Sequence, residues 1–86
     1  MTREEIRTAV LEALATVAPE ADPASLRPDR NLRDQLEIDS MDFLNFIIAL
    51  HNELHVSIPE ADYPKFATLE SCVEYLASML GSPVEP

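Results

Sequence analysis

The sequence has 86 residues, with sixteen Asp and Glu against six Lys and Arg and a formal net charge of -10. A chain this short forms one domain that buries only ~60% of its unfolded surface, which argues against a large enclosed active site. Its acidity argues against nucleic acid or an anionic membrane as partner and for basic protein surfaces.

Taken in order, Thr2-Arg3-Glu4-Glu5 has the form of a capping box, and Ile6, Val10, Ala13, Leu14 and Val17 follow on one face. This predicts a first helix of about four turns, ended by Pro19. From Pro19 to Ile38 no period is sustained, and Pro19, Pro23 and Pro28 interrupt the chain. A long loop is expected there, pinned to a core by Leu26, Leu32, Leu36 and Ile38, with Arg27, Arg30 and Arg33 read as solvated charges that offset the acidic excess.

Asp39 and Ser40 then open a second helix running to about Leu54, because capping-type residues precede apolar positions at three- and four-residue intervals. Phe43, Phe46, Ile47, Leu50 and Leu54 make its core face. Met41, Leu44 and Ile48 form a second apolar stripe beginning beside Ser40, which either packs on a neighbouring element or stays partly exposed for a partner. Ile58-Pro59 leads into a short third helix, made irregular by Pro64, around Glu60 to Phe66. In the last helix Thr68 is the cap, Leu69, Val73, Leu76 and Leu80 form the inner stripe, Cys72 and Met79 pack beside it, and Gly81 is the stop. Residues 1–81 form the domain and 82–86 a flexible tail on this reading.

Asp39-Ser40-Met41 resembles the Asp-Ser-Leu motif of acyl carrier proteins, whose serine bears a 4′-phosphopantetheine arm. The surroundings strengthen it: Leu26-x-Pro28-Asp29 and Leu32-Arg33-Asp34-x-Leu36 precede the motif, and Ile58-Pro59 and Thr68-Leu69 follow it, in the family's order and spacing over residues 3 to 80. One departure is Glu37, which stands where the family usually has Gly two residues before the Asp. The resemblance implies an all-α four-helix bundle with a long first loop, no catalytic or metal site of its own, and a covalent arm on Ser40 taken from coenzyme A. It implies a Mg²⁺-dependent phosphopantetheinyl transferase as one partner, and loading and processing enzymes for acyl, aminoacyl or peptidyl groups as others. Asp39 would cap the helix and help the transferase position metal and coenzyme. Met41, Asp42, Leu44, Asn45 and Ile48 would form the partner-docking surface. The space between helices would shelter an acyl chain, with Phe43 and Phe46 filling and restricting it.

Asn45, His51 and Asn52 stand where carriers of primary fatty acid synthesis tend to have Glu. Since exposed charges set encounter rate and partner choice, the resemblance implies a specialised partner set, in a lipid or secondary-metabolite pathway. Charge is uneven: residues 1 to 38 hold eight acids and five bases, while 39 to 86 hold eight acids and one base, so basic partners should meet the second half. The alternative reading is an acidic helical adaptor in which Ser40 is only a helix cap.

Other chemistries fit less well. His51-Asn52-Glu53-Leu54-His55 places its Glu at i+2, about 200° around a helix from His51, whereas the zinc-protease motif needs it at i+1. Eleven helical residues separate Ser40 from His51 by about 16 Å, too far for a nucleophile–base pair. A single glycine in the whole chain rules out a Gly-x-Ser-x-Gly elbow and phosphate-cradling glycine loops. The acidic run from Asp22 to Asp34 lacks the central Gly and terminal Glu of a calcium loop. Cys72, the only cysteine, cannot form an internal disulfide and suits a reducing compartment. No apolar run is long enough to span a bilayer, and Thr2-Arg3-Glu4-Glu5 does not look like a signal peptide, so a cytoplasmic monomer is expected.

Overall fold

The Thr2 hydroxyl accepts the Glu5 N–H at 3.1 Å, and the Glu5 carboxylate accepts the Thr2 N–H at 2.8 Å. Two orphan donors are thereby satisfied at the start of α1, Arg3–Val17. The computed structural model describes residues 2–80. It continues with α2 (Leu32–Leu36), α3 (Ser40–Leu54), a 3₁₀ segment (Glu60–Phe66) and α4 (Leu69–Met79). The expected stop at Gly81 and tail at 82–86 lie outside the described residues.

Apolar faces explain the packing. From α1, Ile6, Val10, Ala13 and Leu14 are buried; from α3, Phe46, Ile47, Leu50 and Leu54; from α4, Leu69, Cys72, Val73 and Leu76. α1 lies against both α3 and α4, and the 3₁₀ segment packs on α4 through the fully buried Phe66. Among the described residues no polar or charged side chain is buried. The core therefore rests on apolar burial and close packing, with no internal charge to compensate.

The loop after α1 is more ordered than the sequence pattern suggests. Pro23–Ser25 form a 3₁₀ turn capped by Asp22, and Asn31 caps α2 by accepting the Asp34 N–H at 3.1 Å. Five residues make less than two helical turns, too few to leave a periodic signature. The Gln35 side chain, on α2, stitches the loop: its carbonyl accepts from Arg27 N–H at 2.7 Å, and its amide donates to the Arg27 and Arg30 carbonyls at 2.9 and 3.1 Å. Backbone bonds from Leu32 N–H to the Ala67 carbonyl and from Glu70 N–H to the Pro28 carbonyl then tie the loop to the start of α4.

Three further expectations are corrected. Phe43 is only partly buried, packing at the edge of the core face. Met79 is 39% exposed, while its expected companion Cys72 is fully buried. Arg33 is more than a solvated charge, since its guanidinium lies over the Phe43 ring, 5.9 Å from the centroid.

At the end of α3 the backbone leaves through His55 in the left-handed region, φ 56°, an uncommon conformation for a non-glycine residue. His51 Nδ1 lies 2.6 Å from the Val56 carbonyl. As a donor, the imidazole closes the turn that carries the chain away from α3. No helix is long and apolar enough to cross a membrane among the described residues.

Candidate functional site

The turn from α2 into α3 builds the site. Its first residue, Glu37, closes α2 in the left-handed conformation, with φ 54° and ψ 41°, and its N–H bonds back to the Arg33 carbonyl. Glycine is the residue that adopts this region without a Cβ penalty, and Glu37 occupies it instead. Glu37 therefore holds a left-handed turn at the cost of its Cβ contact with the backbone. Ile38 follows with its side chain buried, anchoring the turn. Asp39 then turns the chain into α3 with an extended backbone, and its carboxylate accepts the Asp42 N–H at 2.9 Å.

Asp39 is consequently the N-cap, and Ser40 is the first helical residue. Asp42 N–H is taken by the Asp39 side chain and Phe43 N–H by the Asp39 carbonyl at 3.0 Å. The two first-turn donors left without an intrahelical acceptor belong to Ser40 and Met41. Ser40 is exposed, as is Asp39. Its hydroxyl thus sits at the positive end of a fifteen-residue helix, where backbone donors and the macrodipole favour an anion. A phosphodiester on Ser40 Oγ fits this place both electrically and by access. The adaptor reading assigns the cap to Ser40, but that bond is made by Asp39.

Around Ser40 the surface is apolar on one side and acidic on the other. Met41, Leu44 and Ile48 are 68%, 42% and 46% exposed, so the second stripe of α3 is not consumed by packing. Asn45 is exposed beside them, and Asp42 is half-buried. Glu20, Glu37 and Asp42 line one groove between the end of α1 and the start of α3, extending the acidic rim to residues that the α3 pattern alone does not bring together. Glu20 and Glu37 lie in the loop that joins α1 to α3, so only the folding of that loop puts them there.

The remaining candidates do not assemble into chemistry. Among the described residues no group of three or more His, Cys, Asp and Glu side chains could hold a metal ion. His51 is committed to the Val56 carbonyl. Burial pushes the Cys72 thiol up to about 12, and the thiol donates to the Phe66 carbonyl at 3.6 Å, as befits a packed and unreactive cysteine.

Comparison with known proteins points to one family and one fold. The family model for the phosphopantetheine attachment site matches residues 6–76. An acyl carrier protein from Chlorobium luteolum is 30% identical over 76 residues, covering 88% of this chain and 96% of that protein. One from Rubrobacter xylanophilus is 32% identical over 76 residues, covering 88% and 93%. Among solved structures, the acyl carrier protein from Enterococcus faecalis superposes with a TM-score of 0.76 at 26% identity, covering 92% of this chain and 99% of that one.

Proposed function

Because the chain belongs to the phosphopantetheine-attachment family, as one of its acyl carrier proteins, we propose that Ser40 is the residue that bears its 4′-phosphopantetheine arm. Members of this family are carriers and not enzymes, and their arm is covalent. When bound, the arm supplies a thiol that holds an acyl, aminoacyl or peptidyl group as a thioester. The observation that carries the assignment is the exposed Ser40 hydroxyl at the first position of α3, freed from capping by Asp39.

The protein's own residues supply position and recognition. Asp39 holds the first turn so that Ser40 Oγ stands clear of the bundle, and helps a transferase place metal and coenzyme. In the transfer, Ser40 Oγ attacks the pantetheine-side phosphorus of coenzyme A. The new O–P bond forms as the pyrophosphate O–P bond breaks and adenosine 3′,5′-bisphosphate leaves. The hydroxyl proton passes to a base on the transferase, since the neighbouring Asp39 carboxylate is engaged as the helix cap by the Asp42 N–H. The first-turn N–H groups of Ser40 and Met41, which lack intrahelical acceptors, would favour the negative charge of a phosphodiester on Ser40.

Met41, Leu44 and Ile48 form the apolar centre of the docking surface, with Asn45 beside them and Asp42 and Glu37 on the acidic rim. Basic partner surfaces are steered to that rim. Exposed Asn45, His51 and Asn52 leave the rest of α3 weakly charged, which suits specialised partners in a lipid or secondary-metabolite pathway better than general fatty-acid synthase enzymes. The protein acts as a monomer in the cytoplasm on this reading. The test is intact mass after incubation with coenzyme A, Mg²⁺ and a broad-specificity phosphopantetheinyl transferase. The wild type gains one phosphopantetheine and Ser40→Ala gains none; a gain in the variant, or none in a folded wild type beside a modified control carrier, overturns the assignment.

A further inference from the structure

A row of aromatic rings crosses the interior from the arm-bearing end of α3 to α4. Phe43 lies at i+3 from Ser40, on the same side of the helix. Its ring is 6.0 Å from that of Phe46, which meets Phe66 edge-on at 6.4 Å, and Phe66 meets Tyr75 at 5.1 Å. These separations and tilts are the ones that aromatic quadrupoles favour. Both ends are held: the Arg33 guanidinium covers Phe43, and Lys65 Nζ lies 5.6 Å from the Tyr75 centroid. The Tyr75 hydroxyl donates to Asp62 Oδ2 at 2.6 Å, fastening the 3₁₀ segment to α4.

Phe46 and Phe66, in the middle of the row, have zero exposure, as do their neighbours Leu50, Leu76 and Cys72. Zero exposure means that no water-sized void adjoins either ring, so the space between α3, the 3₁₀ segment and α4 is filled. An alkyl chain entering beside Ser40 would have to displace rings that are pinned at both ends, in a core packed at crystal-like density. Outside the core, each methylene of a long chain stays in water at a free-energy cost.

Resting on the reading of Ser40 as the attachment site, we propose that the Phe43–Phe46–Phe66–Tyr75 row bars cargo from the core, making this a carrier of short or polar acyl groups that stay in solvent with the arm. The test charges the protein from two-carbon and eight-carbon acyl-coenzyme A with a broad-specificity transferase, and intact mass establishes loading. Backbone amide resonances of Phe46, Leu50, Phe66 and Cys72 are expected to coincide in the two forms. Their melting temperatures should agree within about 1 °C, because a chain left outside adds nothing to the folded state. Shifts confined to Met41, Leu44 and Ile48 also support the proposal, placing the chain on the surface.

Core amides that move with the eight-carbon chain, with melting raised by more than about 5 °C, overturn it. Phe66→Ala and the milder Phe66→Leu open the row. At least one folded variant should then gain thermal stability from the eight-carbon chain over the two-carbon one, and no gain in either shows that the ring is not the barrier. Failure to gain mass, by contrast, removes the attachment reading itself and this proposal with it.

Discussion

The Asp39 carboxylate accepts the backbone N–H of Asp42 at 2.9 Å, so the residue before Ser40 caps α3 and Ser40 does not. Stability and modification therefore separate by position. Asp39→Ala is expected to cost about 1 kcal/mol in urea unfolding, the usual loss for an N-cap. Ser40→Ala is expected to stay within about 0.5 kcal/mol of wild type, as for a surface substitution away from such a feature. Equal losses at the two positions would show that Ser40 shares the cap.

Glu37 holds the turn into α3 at φ 54°. Replacing it with glycine removes the Cβ penalty of the left-handed region, though it also loosens the unfolded chain. The net gain is expected to be about 0.5–1 kcal/mol, seen as a higher urea midpoint at unchanged slope. A loss on Glu37→Gly would mean that the carboxylate contributes more to the turn than its backbone conformation costs.

Cys72 is fully buried, and its thiol is pushed up to about 12 by that burial. A small aromatic disulfide reagent at neutral pH should find no fast-reacting thiol in the native chain without the arm, and one per chain in urea. After modification by the transferase, one fast thiol should appear in the native state. Rapid reaction of the unmodified native protein would contradict the packing described for α4.

Glu53 on α3 and Glu12 on α1 form a carboxyl pair across the bundle. Hydrogen bonding to Glu12, then desolvation, then repulsion from the Glu12 charge raise the Glu53 carboxyl above its ordinary value. A raised acid binds its proton more tightly when folded. The stability it contributes is present below the unfolded value of 4.5 and is lost as pH rises through the folded one. Repulsion from the Glu12 charge is among the causes of the shift, and Glu53→Gln, which removes the Glu53 charge, should therefore stabilise near neutral pH. Because the pair is exposed and screened, the gain should not exceed about 0.5 kcal/mol. It should shrink as the pH is lowered through the raised value, and thermal melts of both proteins across the acid range check the sign.

The helices with capping signals were the most legible part of the sequence. Thr2 with Glu5 and Thr68 before Leu69 mark the starts of α1 and α4, and the α3 boundaries at Ser40 and Leu54 follow from polar residues meeting an apolar period. What the pattern does not carry is non-local or too short to repeat. α2 is one such element, visible in retrospect only through Asn31 as its cap. The Gln35 clamp joins residues five and eight apart in a loop without a period. The Arg33–Phe43 contact and the placing of Glu20 beside Asp42 depend on how that loop folds back. At the site, the cap and the second apolar stripe were legible on α3 itself, though the exposure of the stripe was not, whereas the left-handed Glu37 was legible only as a residue standing where the family usually has glycine.

The most direct measurement is fragmentation mass spectrometry of the tryptic peptide Asp34–Lys65 after treatment with coenzyme A and a phosphopantetheinyl transferase. That peptide carries two serines, Ser40 at the start of α3 and Ser57 beyond its end. The expected result is the whole phosphopantetheine mass on Ser40. Its appearance on Ser57, or an unmodified peptide from folded protein beside a modified control carrier, would contradict the assignment of Ser40 as the attachment site.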